Sequence, residues 1–196
     1  MNADPENEAD CYEFDLKTVT GYRKKILDAP IKDGKAVLEQ LAGQRREEAE
    51  DDDLDWAEEV LGEMEGGYDN CRFSCYWDSD TNMTYPLILA KIPVKNPWDI
   101  FAYLPFGNWN ECPDTPELMA AAKYWFEQYG AVPAAMTHDE LEFELPAPIS
   151  KEKAMEAATE QYGFCPDIVD QEQDDPTVGN LADVLWQSTV WYFWWD

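Results

Sequence analysis

The chain has 196 residues, and its 42 Asp and Glu against 14 Lys and Arg give a formal net charge of -28. Such an acidic chain repels the phosphates of DNA and RNA, which argues against a nucleic-acid partner. Apolar residues make up 45% of the sequence and nine residues are Trp, so the chain holds enough core-forming material to fold, unlike an intrinsically disordered protein.

The sequence features that bear on location favour the cytoplasm. The chain has no apolar run of about 18 residues, the length that a membrane helix requires. Residues 1–6 show neither the basic flank nor the apolar core of a signal peptide. We therefore expect a cytoplasmic protein with no membrane partner. Five Cys in a chain without an export signal predict reduced thiols.

The first 67 residues show the spacing of amphipathic helices. Gly43 and the pair Gly66-Gly67 are the expected helix ends. The apolar residues that recur every three or four positions are Ala36, Val37, Leu38 and Leu41, followed by Leu54, Trp56, Ala57, Val60, Leu61 and Met64. We predict that residues 1–67 form an acidic helical N-terminal extension.

An acidic run lies between these helices, with seven acids among the nine residues 47–55. Like charges would repel one another in a packed strand, so the run predicts a solvated helix start or loop. Because acids favour a helix N-terminus, we expect Asp51, Asp52 and Asp53 to cap the helix that contains Trp56.

From residue 68 the pattern changes to strands and turns. Residues 71–77 and 87–94 are separated by the turn-rich residues 78–82, which predicts a hairpin. Residues 98–104 follow Pro97 and are expected to continue the register of the strand that begins at residue 87.

The next segment combines one helix with a second hairpin. Thr115-Pro116-Glu117 opens a helix with Leu118, Ala122, Trp125 and Tyr129 on one face, and Gly130 ends it. Residues 131–136 are apolar and residues 140–145 alternate strictly, which predicts a hairpin whose turn holds His138 and Asp139. Its core-facing residues are Leu141, Phe143 and Leu145.

Two helices and a strand complete the chain. Ser150 is the expected cap of a helix that reaches Tyr162, and a further helix includes Val178 and Leu185. Residues 190–195 are apolar at both parities, which predicts a strand covered on both faces. From residue 87 the order is strand, helix, strand, strand, helix, helix, strand. Residues 68–196 therefore predict an α+β domain with a mixed or antiparallel sheet in a split βαβ-like order.

Several short motifs of this domain resemble those of a known family. They are Trp109-Asn110-Glu111-Cys112-Pro113, Tyr124-Trp125 with Tyr129-Gly130-Ala131, Asp139-Glu140-Leu141-Glu142, Phe164-Cys165-Pro166-Asp167 with Gln171, and Trp191-Tyr192-Phe193-Trp194-Trp195-Asp196. In order and spacing, residues 86–196 resemble the bacterial domain of unknown function 4253. The family is uncharacterised, so the resemblance implies a compact bacterial domain and no particular reaction.

Cys112 and Cys165 are candidates for a reactive thiol. Cys112 and Cys165 each precede a proline at an element boundary, and Cys112 lies just before the helix that opens at Thr115. A nucleophilic cysteine needs a lowered thiol pKa, which a helix N-terminus can supply. Simple packing or a thiol pair is the favoured interpretation of both residues.

Carboxylates and the single histidine are the other candidates for chemistry. His138 lies beside Asp139, and Glu140, Glu142 and Glu144 alternate along one face of the following strand. Three such carboxylates could bind a divalent cation, but a solvated strand face shows the same pattern and is favoured. Because the sequence lacks nucleotide-binding, hydrolase and zinc motifs, we expect no cofactor and no metal.

Three turns share polar, potentially reactive residues. In a split βαβ plan at least two of these turns meet at one end of the sheet, which makes them a candidate ligand or partner site. The residues are Trp109, Asn110 and Cys112, then His138 and Asp139, then Cys165 and Asp167, with Asp139, Glu142 and Asp167 as the acidic groups. In the structural alternative, Asn110 and Asp167 cap backbone amides and the two cysteines fill gaps.

Two functions are compatible with these features. Strong net charge steers association with partners of opposite charge, so the favoured function is an acidic protein-interaction module that binds a basic protein. Small acidic proteins that neutralise basic toxins are an example by analogy of size and charge. The alternative is an enzyme with a carboxylate- or thiol-based site at the three turns. A concave pocket that gathers those turns would favour the enzyme.

Overall fold

A computed structural model of the chain describes residues 16–78, 81–171 and 177–196. The first part is helical, with α1 (Leu16–Asp28), α2 (Gly34–Asp51) and a π-helix (Trp56–Leu61). The middle part contains β1 (Trp77–Asp78), β2 (Met83–Thr84), a 3-10 helix (Pro97–Asp99) and α3 (Ile100–Tyr103). The last part contains α4 (Thr115–Tyr129), β3 (Val132–Met136), β4 (Glu140–Glu144), α5 (Lys151–Phe164), α6 (Asp167–Asp170), α7 (Val178–Leu185) and β5 (Val190–Trp194).

The main sheet has three antiparallel strands in the order β3-β4-β5. In the central pairing, Leu141 lies opposite Phe193 and Phe143 lies opposite Trp191. The expected α+β class and an antiparallel sheet are therefore confirmed. The split βαβ-like order is wrong, because residues 87–94, its first expected strand, belong to neither described sheet.

The core centres on Trp125 of α4, which is fully buried. Its ring stacks on Phe193 at 5.5 Å between centroids and an interplanar angle of 10°. Phe143, Phe164 and Trp191 meet the same ring edge-on at 5.7, 5.0 and 5.7 Å. These geometries suit the quadrupoles of aromatic rings, and they join α4, α5, β4 and β5 in one cluster.

The helical extension packs against this core through α2. Leu38 of α2 is fully buried and belongs to the same hydrophobic cluster as Trp125. A Cβ on Gly163 of α5 would lie 2.5 Å from the backbone N of Ala42, so the two helices approach closely where glycine leaves space. The helical character of the extension is confirmed for residues 16–61, whereas residues 62–67 form no helix and residues 1–15 lie outside the described residues. The division into units 1–67 and 68–196 stays a prediction.

The acidic run differs from the expectation in its local structure. α2 continues through Gly43 to Asp51, because a glycine inside a helix costs only about 1 kcal/mol. Asp55, and not Asp51 to Asp53, caps the helix of Trp56, since its Oδ1 accepts from Ala57 N at 2.9 Å and Glu58 N at 3.0 Å. The packing of α2 against α4 and α5 keeps the chain helical past Gly43, so the helix ends at Asp51.

The expected strands before α4 are largely absent. The small hairpin pairs Trp77 with Thr84, so β1 meets β2 and not residues 87–94. Ile88 and Leu89 are 93% and 95% exposed, in a segment that belongs to no strand of the described sheets. Residues 98–104 are helical for the most part, because Asn96 and Asp99 form a capping box at their start.

The remaining expected elements are confirmed. α4 ends at Gly130, which adopts a left-handed conformation, and the hairpin of β3 and β4 directs Leu141 and Phe143 into the core. β5 is present, but its two faces differ. Trp191 and Phe193 are fully buried on one face, whereas Tyr192 and Trp194 are only partly covered on the other.

Replacement of Phe193 by Ala tests how much the fold depends on β5. Loss of a fully buried aromatic ring should reduce the free energy of unfolding by about 3 to 5 kcal/mol, a large part of the total stability of a domain this size. Chemical denaturation measures the change. Ile88→Ala is the control, because its exposed side chain predicts a change within about 0.5 kcal/mol. Equal stability of both variants would contradict the central role of β5.

Candidate functional site

The three predicted turns converge on residues 194–196, at the end of β5. The Asn110 side-chain amide donates to the Asp196 carbonyl, and Asp167 Oδ2 accepts from Asp196 N at 2.9 Å. Asp139 Oδ2 accepts from Trp194 Nε1 at 3.3 Å. Asn110, Asp139 and Asp167 therefore lie at one end of the sheet, and each of them bonds the same short segment. A ligand or partner at this cluster stays a prediction.

The first turn is built from residues that tolerate left-handed backbone. Asn110 has φ 46° and Asn108 has φ 63°, and Asn adopts this region more readily than most residues. Cys112 N donates to Trp109 O at 3.0 Å and closes the turn. This conformation carries the Asn110 amide to the residues after β5.

The two cysteines near this cluster are buried and protonated. Burial raises the pKa of both thiols, and in Cys112 the nearby Cys165 raises it further. The Cys165 thiol donates to the Trp194 carbonyl, with 2.9 Å between Sγ and O. Because a thiol must ionise to act as a strong nucleophile, these environments oppose thiol chemistry and fit the packing role.

His138 and Glu142 do not join Asn110 and Asp167. The His138 side chain is 84% exposed, and its Nδ1 lies 3.0 Å from Asp139 Oδ1. Glu142 is fully buried. Its carboxylate accepts from Ser74 N at 2.7 Å, Ser74 Oγ at 3.0 Å and Cys75 N at 3.3 Å. Glu142 therefore anchors the loop that covers β4, and the expectation of a solvated face is wrong at this position.

A second buried carboxylate, Glu160 of α5, supports the aromatic core. Its oxygens accept from Tyr124 Oη at 2.9 Å and from Trp125 Nε1 at 3.1 Å. Burial raises the pKa of Glu160, and the two hydrogen bonds oppose that rise only in part. The helical pattern in the sequence gives no signal for this arrangement, because it requires α4 and α5 to be packed together.

A cavity of about 540 Å³ lies beside the cluster, between β5, α5, α6, α7 and residues 66–70. Asp167 connects the two features, since it lines the cavity and also bonds Asp196. The side-chain amides in the lining belong to Asn70, Gln161, Gln171 and Asn180. Sequence reasoning missed these residues, because they come from four separate segments and form no motif.

Within the described residues, no group of three or more His, Cys, Asp or Glu is arranged to hold a metal ion. The same part of the chain contains no helix with the length and apolar character needed to cross a bilayer.

Comparison with known proteins identifies the second half of the chain. The family model described as "Domain of unknown function (DUF4253)" matches residues 88–196. The chain belongs to this family. The resemblance inferred from the motifs is thereby confirmed. A search of curated proteins and a search of solved structures each gave no match.

Some of the candidate features lie inside the region that matches DUF4253 and others lie outside it. All eight residues of the predicted site lie within residues 88–196, as does most of the cavity lining. The acidic run 47–55 and the cavity wall at residues 66–70 lie outside the match. The cavity is therefore completed by a segment that precedes the DUF4253 region.

Glu142→Gln tests the anchoring of the loop at Ser74. A glutamine directs an N–H group at one of the three donors that now bond the carboxylate, so one buried donor loses its acceptor. The free energy of unfolding should fall by about 1 to 3 kcal/mol in chemical denaturation. Glu144→Gln, on the same strand but exposed, is the matched control. A loss no larger than that of the control would refute the anchoring role.

Glu160→Gln tests the raised pKa of the buried carboxyl. A glutamine mimics the protonated acid, accepting from Trp125 and donating to Tyr124. Because the folded-state pKa lies above its ordinary value of 4.5, the stability contributed by the protonated acid is complete below that value. It is lost as pH rises through the folded-state pKa.

Relative to the native protein, the Glu160→Gln variant should therefore gain stability as pH rises above 4.5. The slope is at most about 1.4 kcal/mol per pH unit, the limit for one proton. Denaturation midpoints measured across a pH series give the difference, with Glu144→Gln as control. A difference that is independent of pH would show that Glu160 titrates normally.

Proposed function

We propose that this protein is an acidic interaction module of the bacterial cytoplasm that binds a basic protein. The observation that carries the proposal is the acidic stretch, defined as residues 47–69. It contains twelve acids and no Lys, Arg or His, and all twelve side chains are exposed. Concentrated charge of one sign raises the rate of encounter with an oppositely charged partner and repels wrong ones.

Little of this charge is neutralised within the chain. Among the described residues, only two acids of the stretch form ion pairs, Glu48 with Arg45 at 2.9 Å and Glu50 with Arg46 at 3.1 Å. Both pairs involve exposed carboxylates, so they are weak and screened by salt. The carboxylates of Asp55, Glu59 and Asp69 accept local hydrogen bonds but keep their negative charge, so most of the charge of the stretch is available to a partner.

The position of the acids is unfavourable for the helix that carries them. Acids 47–51 lie at the C-terminal end of α2, where the helix dipole is negative and where no basic residue lies in the last turn. Glu47 and Asp51 are also like charges at i and i+4. Helix stability therefore does not account for the stretch, which supports a role in recognition.

The stretch is nevertheless held in place. Ala49 and Val60, which flank residues 50–59 of the stretch, are buried in the hydrophobic cluster. Asp55 caps the following π-helix through two backbone amides. The partner thus meets a preorganised surface, which reduces the entropy lost on binding.

The enzyme alternative has less support. The thiols of Cys112 and Cys165 are protonated by burial, and the carboxylates of Asp139 and Asp167 accept hydrogen bonds from Trp194 and Asp196. These hydrogen bonds of Asp139 and Asp167 hold the end of β5 in place, which is a structural role.

Neutralisation of the acidic stretch tests the proposal. Asp51→Asn, Asp52→Asn and Asp53→Asn combined should weaken binding to a lysine-rich peptide roughly tenfold, or about 1.4 kcal/mol. Isothermal titration calorimetry measures the affinity at low and at physiological ionic strength, and the loss should be larger at low ionic strength. The folded state should be at least as stable, because repulsion is relieved.

A charge-matched variant distinguishes the stretch from net charge alone. Asp28→Asn, Glu127→Gln and Glu144→Gln combined remove the same charge from exposed positions elsewhere. This control should bind the peptide almost as tightly as the native protein. Equal weakening of both variants would mean that binding follows total charge, and the proposal that residues 47–69 form the surface would fail.

A further inference from the structure

We propose that the cavity beside β5 binds a small, uncharged planar molecule that carries a carboxamide or lactam group. The inference does not depend on the charges of the acidic stretch, although residues 66–68 of that stretch line the cavity, and it rests on the other side chains of the lining. Its volume of about 540 Å³ lies in the range of ligand pockets in proteins, about 300 to 1,000 Å³.

The central observation is the amide of Gln161. The side chain is fully buried and lines the cavity, and neither its Oε1 nor its Nε2 has a hydrogen-bond partner among the described residues. A buried amide without partners reduces the stability of the fold by about 1 to 3 kcal/mol. A ligand that supplies both a donor and an acceptor to Gln161 would remove this cost.

A second polar group in the same lining also lacks a partner. The indole N–H of Trp191 is buried and donates to no described residue. Its ring is anchored in the core by edge-on contact with Trp125 at 5.7 Å and with Tyr129 at 5.5 Å. The donor therefore cannot turn towards water without disrupting the core.

The charge of the lining selects an uncharged ligand. None of the described lining residues is Lys, Arg or His, and the chain as a whole carries a net charge of -28, so an anion is repelled. Asp167 is the carboxylate in the lining, and its oxygens accept from Gln171 Nε2 at 3.0 Å and from Asp196 N at 2.9 Å. Its negative charge is therefore committed to these donors and is not directed at a cation.

The chemistry of Gln161 selects a carboxamide or lactam. The side-chain amide presents a donor and an acceptor on one edge, and a ligand with the complementary pair forms two parallel hydrogen bonds with it. Glutamine pairs with planar heterocycles in this way, each such pair contributing about 1 to 3 kcal/mol of discrimination. Trp194, Leu181 and Val184 supply apolar surface for the remainder of a planar ring.

The walls of the cavity are fixed before a ligand enters. Gly66 N donates to Asp183 Oδ2 at 2.6 Å, and Asn70 N donates to Ser188 Oγ at 2.7 Å. The Asn70 carbonyl accepts from Val190 N at 3.0 Å. These bonds hold residues 66–70 against α7 and β5, so binding does not have to order this wall.

Two pairs of probes of equal shape test the ligand class. Benzamide and nicotinamide carry the carboxamide, whereas benzoate and nicotinate replace it with a charged carboxylate. Calorimetry with the full chain should show both amides binding at least roughly tenfold more tightly than their acids, a difference of about 1.4 kcal/mol. The side-chain NH₂ resonances of Gln161, assigned by their loss in Gln161→Leu, should shift on addition of benzamide.

Variants of the chain separate the site from other surfaces. Gln161→Leu keeps the volume but removes both polar atoms, and it should weaken benzamide binding at least roughly tenfold. It should also maintain or raise the thermal midpoint, because an unpartnered buried amide is removed. Gln128→Leu, an exposed glutamine on α4, is the matched control and should change neither property.

A second variant covers the case in which Gln161→Leu does not fold. Leu181→Trp places a large ring in the cavity from α7 and leaves Gln161 intact, and it should also abolish binding of benzamide. The proposal is overturned if neither amide binds the native chain or if Leu181→Trp binds benzamide as the native chain does. It is also overturned if Gln161→Leu lowers the thermal midpoint without a change in binding, because internal water would then satisfy the amide.

Discussion

The packing of Trp125 against β5 is the interaction on which the rest of the structure depends. One indole ring contacts Phe143, Phe164, Trp191 and Phe193, and its N–H group is satisfied by the buried carboxyl of Glu160. This single ring therefore joins two helices and two strands. Because β5 follows α5, α6 and α7 in the sequence, its contacts with β4 and α4 join segments that are far apart along the chain.

The candidate features at the end of the sheet follow from the position of β5. Phe193 and Trp191 fill the core, and Trp191 also lines the cavity together with Val190, Tyr192 and Trp194. Trp194 at the end of β5 and Asp196 beyond it form hydrogen bonds with the three turns, with Asp196 accepting from Asn110 and donating to Asp167 while Trp194 donates to Asp139. Asn110 and Asp167 thus have a structural role in addition to any recognition. The cavity differs in this respect, because the amide of Gln161 has no structural partner in the described residues.

Two sets of acids in the chain differ in how they interact with their surroundings. Glu142 and Glu160 are buried, and neutral N–H and O–H groups compensate for the loss of water. The acids of residues 47–69 are exposed, and few of them are paired. Such a surface weakens the fold slightly through repulsion, but it generates a field that reaches beyond the molecule, up to the screening length of the solution. The first group supports the structure and the second is available for recognition.

The sequence by itself determined the α+β class, α4 with its end at Gly130, the hairpin of β3 and β4, the aromatic strand β5 and the DUF4253 family. These features depend on local periodicity, on caps and on short motifs. Tertiary structure decided the rest. The mostly apolar residues 87–94 form no strand because no segment pairs with them in the described sheets, and Glu142 is buried because a distant loop covers it. The cavity around Gln161 exists only where five segments meet, and such a meeting depends on long-range packing that no local pattern encodes.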